Sequence, residues 1–212
     1  MIERKEDLIA RVNRALGDHL FLDRGYQVHA AIDYAITTDH MIRIIEGGID
    51  EFATTTSPAC LARLFLEDSR GRRLDFSDVG SGIGYLMPVL VEAYDARDVI
   101  VEQPELHLHP ALQAALGDVL LDAVNCGSSL IVETHSEHLI LRILRRIRQA
   151  NSGVPIADEL KITPEMLSVF YFDPKPDGST QVHRLRVSPE GEFIDRWPNG
   201  FFEERDRELW DE

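Results

Sequence analysis

The sequence predicts an α/β fold with a mostly parallel sheet. Two short segments, 98–102 (DVIVE) and 128–134 (SSLIVET), are almost uniformly apolar and end in polar residues, as the strands of a sheet buried on both faces do. Helical patterns at 110–125 and 136–149 follow them in turn, and this alternation of strand and helix is typical of the class. A glycine-rich turn at 80–84 (GSGIG) precedes a further predicted helix ahead of the first strand.

The first 75 residues are predicted to form a mixed α/β segment. Apolar positions in residues 2–16 have the spacing of an amphipathic helix. Residues 27–37 and 41–47 alternate and contain β-branched side chains, which predicts two antiparallel strands. Residues 57–68 begin with Ser-Pro, a favoured start of a helix, and are predicted to form one.

The end of the chain differs in composition from the middle. An aromatic segment, a Pro-Asp-Gly turn and a second alternating segment predict a β-hairpin, and the acidic, aromatic end is predicted to form a helix. The chain therefore divides into residues 1–75, an α/β core at 76–150, and a hairpin and helix cap at 151–212.

Composition restricts the classes of function. A net charge of −15 argues against a free-standing nucleic-acid binder, since phosphate contacts need clustered Lys and Arg, and leaves nucleic acid as a partner only through a larger assembly. Cys60 and Cys126 match neither a metal-ligand nor a disulfide pattern. No apolar run approaches the roughly 18 to 20 residues of a membrane span, and the N-terminus is charged, so we expect a cytoplasmic protein without a membrane partner.

Polar residues follow both predicted core strands at their carboxyl ends. Glu102 ends the first strand, Glu105 lies three residues further on, and His135 follows the second strand. Open α/β sheets bind ligands at the carboxyl ends of their strands, where a carboxylate can hold Mg²⁺ directly or through water. Taken alone, each of these residues is equally compatible with a strand that ends at a polar turn.

The order of two motifs resembles a known superfamily. Residues 102–110 (EQPELHLHP) and 133–139 (ETHSEHL) resemble the Walker B, D-loop and switch-histidine segments of ABC-type ATPases, which include chromosome-maintenance ATPases and the overcoming-lysogenization-defect nucleases. The resemblance is closer to bacterial AAA-type ATPases that end in a small domain of unknown function, to which residues 170–202 are similar. It covers roughly residues 78–208 and implies a partial P-loop NTPase (ABC-like) core with the hairpin and helix cap.

The resemblance implies a site for ATP and Mg²⁺. By motif, Glu102 is the acid on the metal side, and His135 is the histidine that contacts the γ-phosphate. Residues 81–85 (SGIGY) match the signature loop, which faces the ATP held by an opposite subunit or partner chain; glycines there allow close backbone approach. The residues implied to bind the nucleotide are Ser81, Gly82, Gly84 and, in the D-loop, His109.

The Walker B segment departs from the pattern of the superfamily. It ends Glu102-Gln103, where most members have Asp-Glu. A glutamine can orient the attacking water but cannot take its proton, so Glu105 is the remaining candidate base. This departure from the pattern implies slow hydrolysis of ATP.

The phosphate-binding loop G-x-x-x-x-G-K-[ST] does not occur in the sequence. The lysines are Lys5, Lys161 and Lys175, and none follows a glycine. This pattern is compatible with one half of a split ATPase, with a piece of a longer gene product, or with lost ATPase function. The predicted function is Mg²⁺-dependent ATP hydrolysis only when a complementing chain or a missing N-terminal part supplies the loop; the alternative is a non-hydrolytic interaction or regulatory module that keeps the fold.

A dinucleotide-binding fold is one rival interpretation. Gly80, Gly82 and Gly84 precede a predicted helix, and Glu102 lies 18 residues after Gly84. The spacing is nevertheless G-x-G-x-G, and Tyr85 stands where a third small residue is expected.

A metal site is the second rival. Closely spaced acids and histidines offer pairs of ligands, but none has the HExxH spacing that makes such clusters specific. The residues concerned are Glu105, His107, His109, Glu133, His135 and His138.

Four arginines on the last predicted core helix suggest either a phosphate-binding surface or a solvated face. The apolar residues opposite them favour the solvated face, with the acidic end of the chain as a source of partners. These residues are Arg142, Arg145, Arg146 and Arg148.

Overall fold

A computed structural model describes the protein at residues 2–21, 25–35 and 59–198. The chain forms two compact units that meet in sequence at Gly80 and Ser81, with residues 18–20 belonging to the second. The three-part division into residues 1–75, 76–150 and 151–212 stays a prediction.

The first unit combines a helix with an antiparallel sheet. Helix α1 spans Ile2–Arg14 and continues as a π-helical turn. Strands β1, β2 and β3 pair in that order, and they span Gln27–Ala35, Ala59–Glu67 and Arg73–Leu74. Asn13 connects α1 to β1, because its side chain accepts the Val28 N–H at 2.6 Å and donates to the Val28 carbonyl at 3.1 Å.

The prediction of a helix at residues 57–68 is wrong. Ala59–Glu67 is strand β2, and all nine of its residues pair with β1. The Ser-Pro start is a local signal, whereas the strand is fixed by a partner far away in sequence, and such tertiary pairing overrides helix propensity. The strand predicted at 41–47 lies outside the described residues, while the strand at 27–37 is confirmed at 27–35.

The second unit contains the predicted alternation of strands and helices. Its elements, in chain order, are helix α2 at Ser81–Asp95, strand β4 at Asp98–Glu102, helix α3 at Pro110–Asn125, strand β5 at Ser129–Glu133 and helix α4 at Glu137–Asn151. β4 and β5 pair in parallel, with Glu102 opposite Glu133. The parallel α/β arrangement is therefore confirmed for these two strands.

The expectation that both faces of this sheet are buried is wrong. Over the described residues the sheet has two strands, and Val99 of β4 is buried while its neighbour Ile100 is 75% exposed. Ile131, which pairs with Ile100, is 65% exposed. The uniformly apolar sequence suits two covered faces, but the described chain covers only one of them.

Part of the core of the second unit lies between α3, α4 and the chain that follows. Leu121, Leu144, Ile147 and Ile162 form a buried cluster. The predicted hairpin is confirmed as antiparallel strands β6 and β7, at Val169–Pro174 and Thr180–Leu185. The terminal helix expected after it lies outside the described residues. No helix in the described ranges is both long and apolar enough to cross a membrane.

The solvated-face interpretation of the α4 arginines is wrong for Arg142 and Arg146, whose side chains are only 23% and 16% exposed. Asp118 of α3 is only 4% exposed and accepts hydrogen bonds from Arg142 at 2.5 Å and from Arg146 at 2.7 and 2.8 Å. These bonds raise the pKa of Arg146. Arg148 donates to the backbone oxygens of Glu190 and Gly191. These arginines therefore hold α3, α4 and the following chain together.

Candidate functional site

Two loops meet at the carboxyl edge of the parallel sheet. β4 leads into the loop at 103–109, and β5 leads into the loop at 134–136. Parallel pairing brings both loops to one edge, where open α/β sheets bind their ligands. The Gln103 N–H donates to the Glu133 carbonyl at 2.7 Å, which extends the pairing by one hydrogen bond beyond the strand ends.

A cleft of about 260 Å³ lies between these loops. Three of the predicted catalytic residues, Gln103, Glu105 and His135, line it together. Glu102 and His109 are not part of the lining. The full lining consists of Gln103, Glu105, Leu106, His107, Gln113, His135 and Ser136.

Glu105 is the most constrained acid of the cleft. Its side chain is buried, with 7% of the residue exposed, and Oε1 accepts the backbone N–H of His135 at 2.8 Å. Its other oxygen, Oε2, is also buried and has no hydrogen-bond partner among the described residues. A buried polar atom without a partner costs about 1 to 3 kcal/mol, so Oε2 has a strong preference for a donor such as a water molecule.

The backbone around Glu105 is strained. Gln103 has φ of 47° and His107 has φ of 61°, a left-handed conformation that is unfavourable for residues with a side chain. Each such residue costs roughly 1 to 3 kcal/mol and persists only where its surroundings fix it. The two strained residues lie two positions before and two positions after Glu105, whose carboxylate is buried.

His135 and His109 differ in their surroundings. The His135 backbone is anchored by Glu105 at the cleft, immediately before Ser136, which caps α4 by accepting the Leu139 N–H at 3.1 Å. His109 is exposed and caps α3, since its Nδ1 accepts the Ala111 N–H at 3.2 Å.

The predicted signature loop forms the first turn of α2. A Cβ at Gly82 would lie 2.7 Å from the His107 carbonyl oxygen, so this position requires glycine for close packing. Tyr85 stacks on the His107 ring, with centroids 5.0 Å apart. A Cβ at Gly84 would have no described atom within 4 Å, and Ser81 is exposed. The start of α2 is therefore attached to the 103–109 loop through Gly82 and Tyr85.

The metal-site interpretation does not find support in the geometry. Across the described ranges, no three or more His, Cys, Asp or Glu side chains are grouped so that they could hold a metal ion. A Mg²⁺ ion bound together with a nucleotide needs fewer protein ligands, because it keeps several waters and takes one or two carboxylates together with phosphate oxygens. Glu102, exposed at the end of β4, fits that requirement, while the sequence offers no phosphate loop beside it.

Two polar residues of the cleft were missed by sequence reasoning. Ser136 was recognised only as the start of a helix, and Gln113 carries no sequence signal that separates it from any polar residue in a first helical turn. Both become visible only when the two loops are placed side by side.

The parallel strands with intervening helices, and polar loops at their carboxyl edge, define an α/β protein. Residues 1–142 match the model of AAA_21, a family of AAA domains whose description names an AbiEii toxin of a type IV toxin–antitoxin system. The match spans about two thirds of the sequence, and the chain belongs to this AbiEii toxin-like AAA domain family.

A second family covers the end of the chain. Residues 162–211 match DUF3696, a family of proteins of unknown function. A search of curated proteins found no match. The family matches confirm the coarser part of the resemblance, an AAA or P-loop ATPase type of protein with a C-terminal domain of unknown function, and ATP is the ligand that AAA domains generally bind.

Proposed function

We propose that this chain is an incomplete ABC-like ATPase head, which hydrolyses Mg²⁺-ATP when a partner chain or a missing N-terminal part supplies the phosphate loop. The observation that carries the proposal is Glu105. One oxygen of its carboxylate accepts the backbone N–H of His135. The other oxygen is buried and has no hydrogen-bond partner among the described residues. Gln103 lines the same cleft. This arrangement suits a base that accepts a proton from a bound water.

Four residues have separate roles in the proposed hydrolysis of ATP. Glu105 accepts the proton of the attacking water, a role that typically contributes 10²- to 10⁴-fold to a rate. Gln103 orients that water, and His135 donates to the γ-phosphate. Glu102, which lies outside the cleft lining, would hold the Mg²⁺ ion, and that ion would supply charge neutralisation at the phosphates.

The start of α2 is proposed to face a second nucleotide-bearing subunit. Ser81 is exposed and offers a hydroxyl, and the open surroundings of Gly84 allow a phosphate to approach the backbone. The N-terminus of the 15-residue helix favours an anion there. His109 lies beyond the cleft and is proposed to contact the same nucleotide from the D-loop.

The exposed face of the sheet supports the need for a partner. Parallel sheets are covered on both faces, yet Ile100 and Ile131 are open to solvent side by side. Glu102 lies on the same face as Ile100, two residues along β4. A partner that covers this face therefore lies next to the proposed metal ligand.

The test is reconstitution. Phosphate release from Mg²⁺-ATP is measured for this chain alone, for the phosphate-loop half of a related AAA ATPase expressed as a separate chain, and for the two together. We expect turnover above background only for the mixture. Turnover by this chain alone at the rate of the mixture would contradict the proposal, because it would require a phosphate site that the sequence does not contain.

A second candidate function is a non-hydrolytic regulatory module. It is favoured by Gln103, which occupies the position of the usual catalytic glutamate. A mixture that associates stably, as measured by analytical ultracentrifugation, but releases phosphate no faster than its separate components identifies this alternative.

A further inference from the structure

A chain of hydrogen bonds connects the two loops of the cleft through Gln113. Its side-chain Nε2 donates to the Leu108 carbonyl at 3.0 Å, and its Oε1 accepts the Ser136 hydroxyl at 2.7 Å. Ser136 is 5% exposed and also accepts the Leu139 N–H. One glutamine in the first turns of α3 therefore joins the end of the 103–109 loop to the beginning of α4.

The direction of these bonds is fixed by chemistry. The Leu108 carbonyl can only accept, so the amide nitrogen of Gln113 must face it. The Ser136 oxygen already accepts from Leu139, so its hydroxyl proton is available for the oxygen of Gln113. The side chain of Gln113 has one orientation that satisfies both partners.

The bond between Glu105 and the His135 N–H forms a second connection next to the first. The two connections leave the 103–109 loop at positions 105 and 108, on either side of His107, whose backbone is strained. They reach the other loop at the adjacent residues His135 and Ser136. Loss of one connection leaves the other to join the 103–109 loop to the 134–136 loop.

We propose that Gln113 is a positioning residue that fixes the 134–136 loop against the 103–109 loop and so sets the place of His135. Its importance for turnover rests on the proposed function, whereas its effect on the loop does not. Removal of the Gln113 amide leaves the Leu108 carbonyl and the Ser136 hydroxyl without these partners, and the two loops then open more readily.

The proposal is tested by amide hydrogen exchange, measured by NMR on the isolated chain without nucleotide. In Gln113→Ala, the His135 and Leu139 amides should exchange about tenfold faster, the factor that corresponds to one lost hydrogen bond. Amides in the paired strands β4 and β5 should change by less than those of His135 and Leu139. A purely structural role would change all slowly exchanging amides by one common factor, and that result would overturn the proposal.

Matched variants make the result specific. Gln149→Ala removes an amide that accepts from Arg146 elsewhere on α4, and it should leave the exchange of the His135 amide unchanged. Ser136→Thr keeps the hydroxyl and should preserve protection, while Ser136→Ala should reproduce the effect of Gln113→Ala. If Gln113→Ala does not fold, the comparison of Ser136→Thr with Ser136→Ala provides the same test. Equal His135 exchange in both Ser136 variants would overturn the proposal.

The reconstituted pair separates this proposal from the proposed function. In the mixture, Gln113→Ala should lower kcat with little change in KM, because the side-chain amide of Gln113 is bonded to Leu108 and Ser136 and the residue acts through His135. A mixture without turnover refutes the proposed function, and the exchange result still decides the role of Gln113. An active mixture with unchanged His135 exchange in Gln113→Ala refutes only the positioning role.

Discussion

Gly82 and Gly84 lie in the same helical turn but stand in different surroundings. The Cβ of an alanine at position 82 would meet the His107 carbonyl at 2.7 Å and Leu108 at 3.0 Å, whereas the Cβ at position 84 meets no described atom within 4 Å. Gly82→Ala should therefore destabilise the fold by about 1 to 3 kcal/mol. Gly84→Ala should stabilise it by up to about 1 kcal/mol, since alanine favours a helix. Urea unfolding of both variants tests the difference, and equal effects would contradict the packing of α2 on the loop.

His135 and His138 provide a second matched pair of residues. Both are exposed, but His135 lines the cleft, while His138 lies in the first turn of α4 outside the cleft lining. In the reconstituted pair, His135→Ala should lower turnover by roughly 10²-fold or more, the scale of a lost transition-state donor. His138→Ala should have a much smaller effect. Equal losses of turnover in the two variants would indicate that the role of His135 is structural and not chemical.

The elements around the site were largely predictable, whereas strand β2 in the sheet of the first unit was not. β4, α3, β5 and α4 follow from short apolar runs and helical periodicity, signals contained within each segment. β2 was missed because its nine residues take their conformation from β1, more than twenty residues away. The order of the motifs identified Gln103, Glu105 and His135 as one site, but the link through Gln113 depends on side-chain geometry that sequence spacing does not contain.

The segment after β7 contains an exposed ion pair with a defined pH response. The Arg186 guanidinium and backbone N–H donate to Asp195 and lower the pKa of that carboxyl to about 2, with the side-chain hydrogen bond the largest cause. A lowered folded-state pKa stabilises the fold above the ordinary value of 3.8, and this stabilisation is lost as the pH falls from about 4 towards 2.

Asp195→Asn should remove that response. The variant should be less stable than the parent protein at pH 7, and the difference should shrink as the pH is lowered below 4. Urea midpoints for both proteins at several pH values between 3 and 7 provide the measurement. A difference that stays constant over this range would show that the charge of Asp195 contributes nothing.

On the scale of the whole molecule, the exposed face of the β4–β5 sheet is the surface at which the proposed function places the partner chain. Burial of an isoleucine side chain typically contributes about 1.5 to 3 kcal/mol, so a partner that covers both isoleucines gains substantially from contact. Ile100→Glu should weaken association with the phosphate-loop half at least about tenfold, while the stability of the isolated chain should change little because Ile100 is exposed.

Leu141→Glu is the control for that experiment. Leu141 is an exposed apolar residue of α4 and is not part of the sheet. Isothermal titration calorimetry of the two chains should show normal affinity for this variant. Equal weakening by both substitutions would indicate that added negative charge, in a chain with a net charge of −15, and not the sheet face, governs association.

The most direct measurement of the central claim is phosphate release by the reconstituted pair with Glu105→Gln. The amide oxygen of glutamine can still accept the His135 N–H, so the loop stays anchored while the basic oxygen is lost. Glu92→Gln, on the exposed side of α2, is the matched control. The account predicts that Glu105→Gln lowers kcat by 10²- to 10⁴-fold and that Glu92→Gln leaves it unchanged. Turnover of the Glu105 variant within about twofold of the parent pair would contradict the assignment of Glu105 as the base.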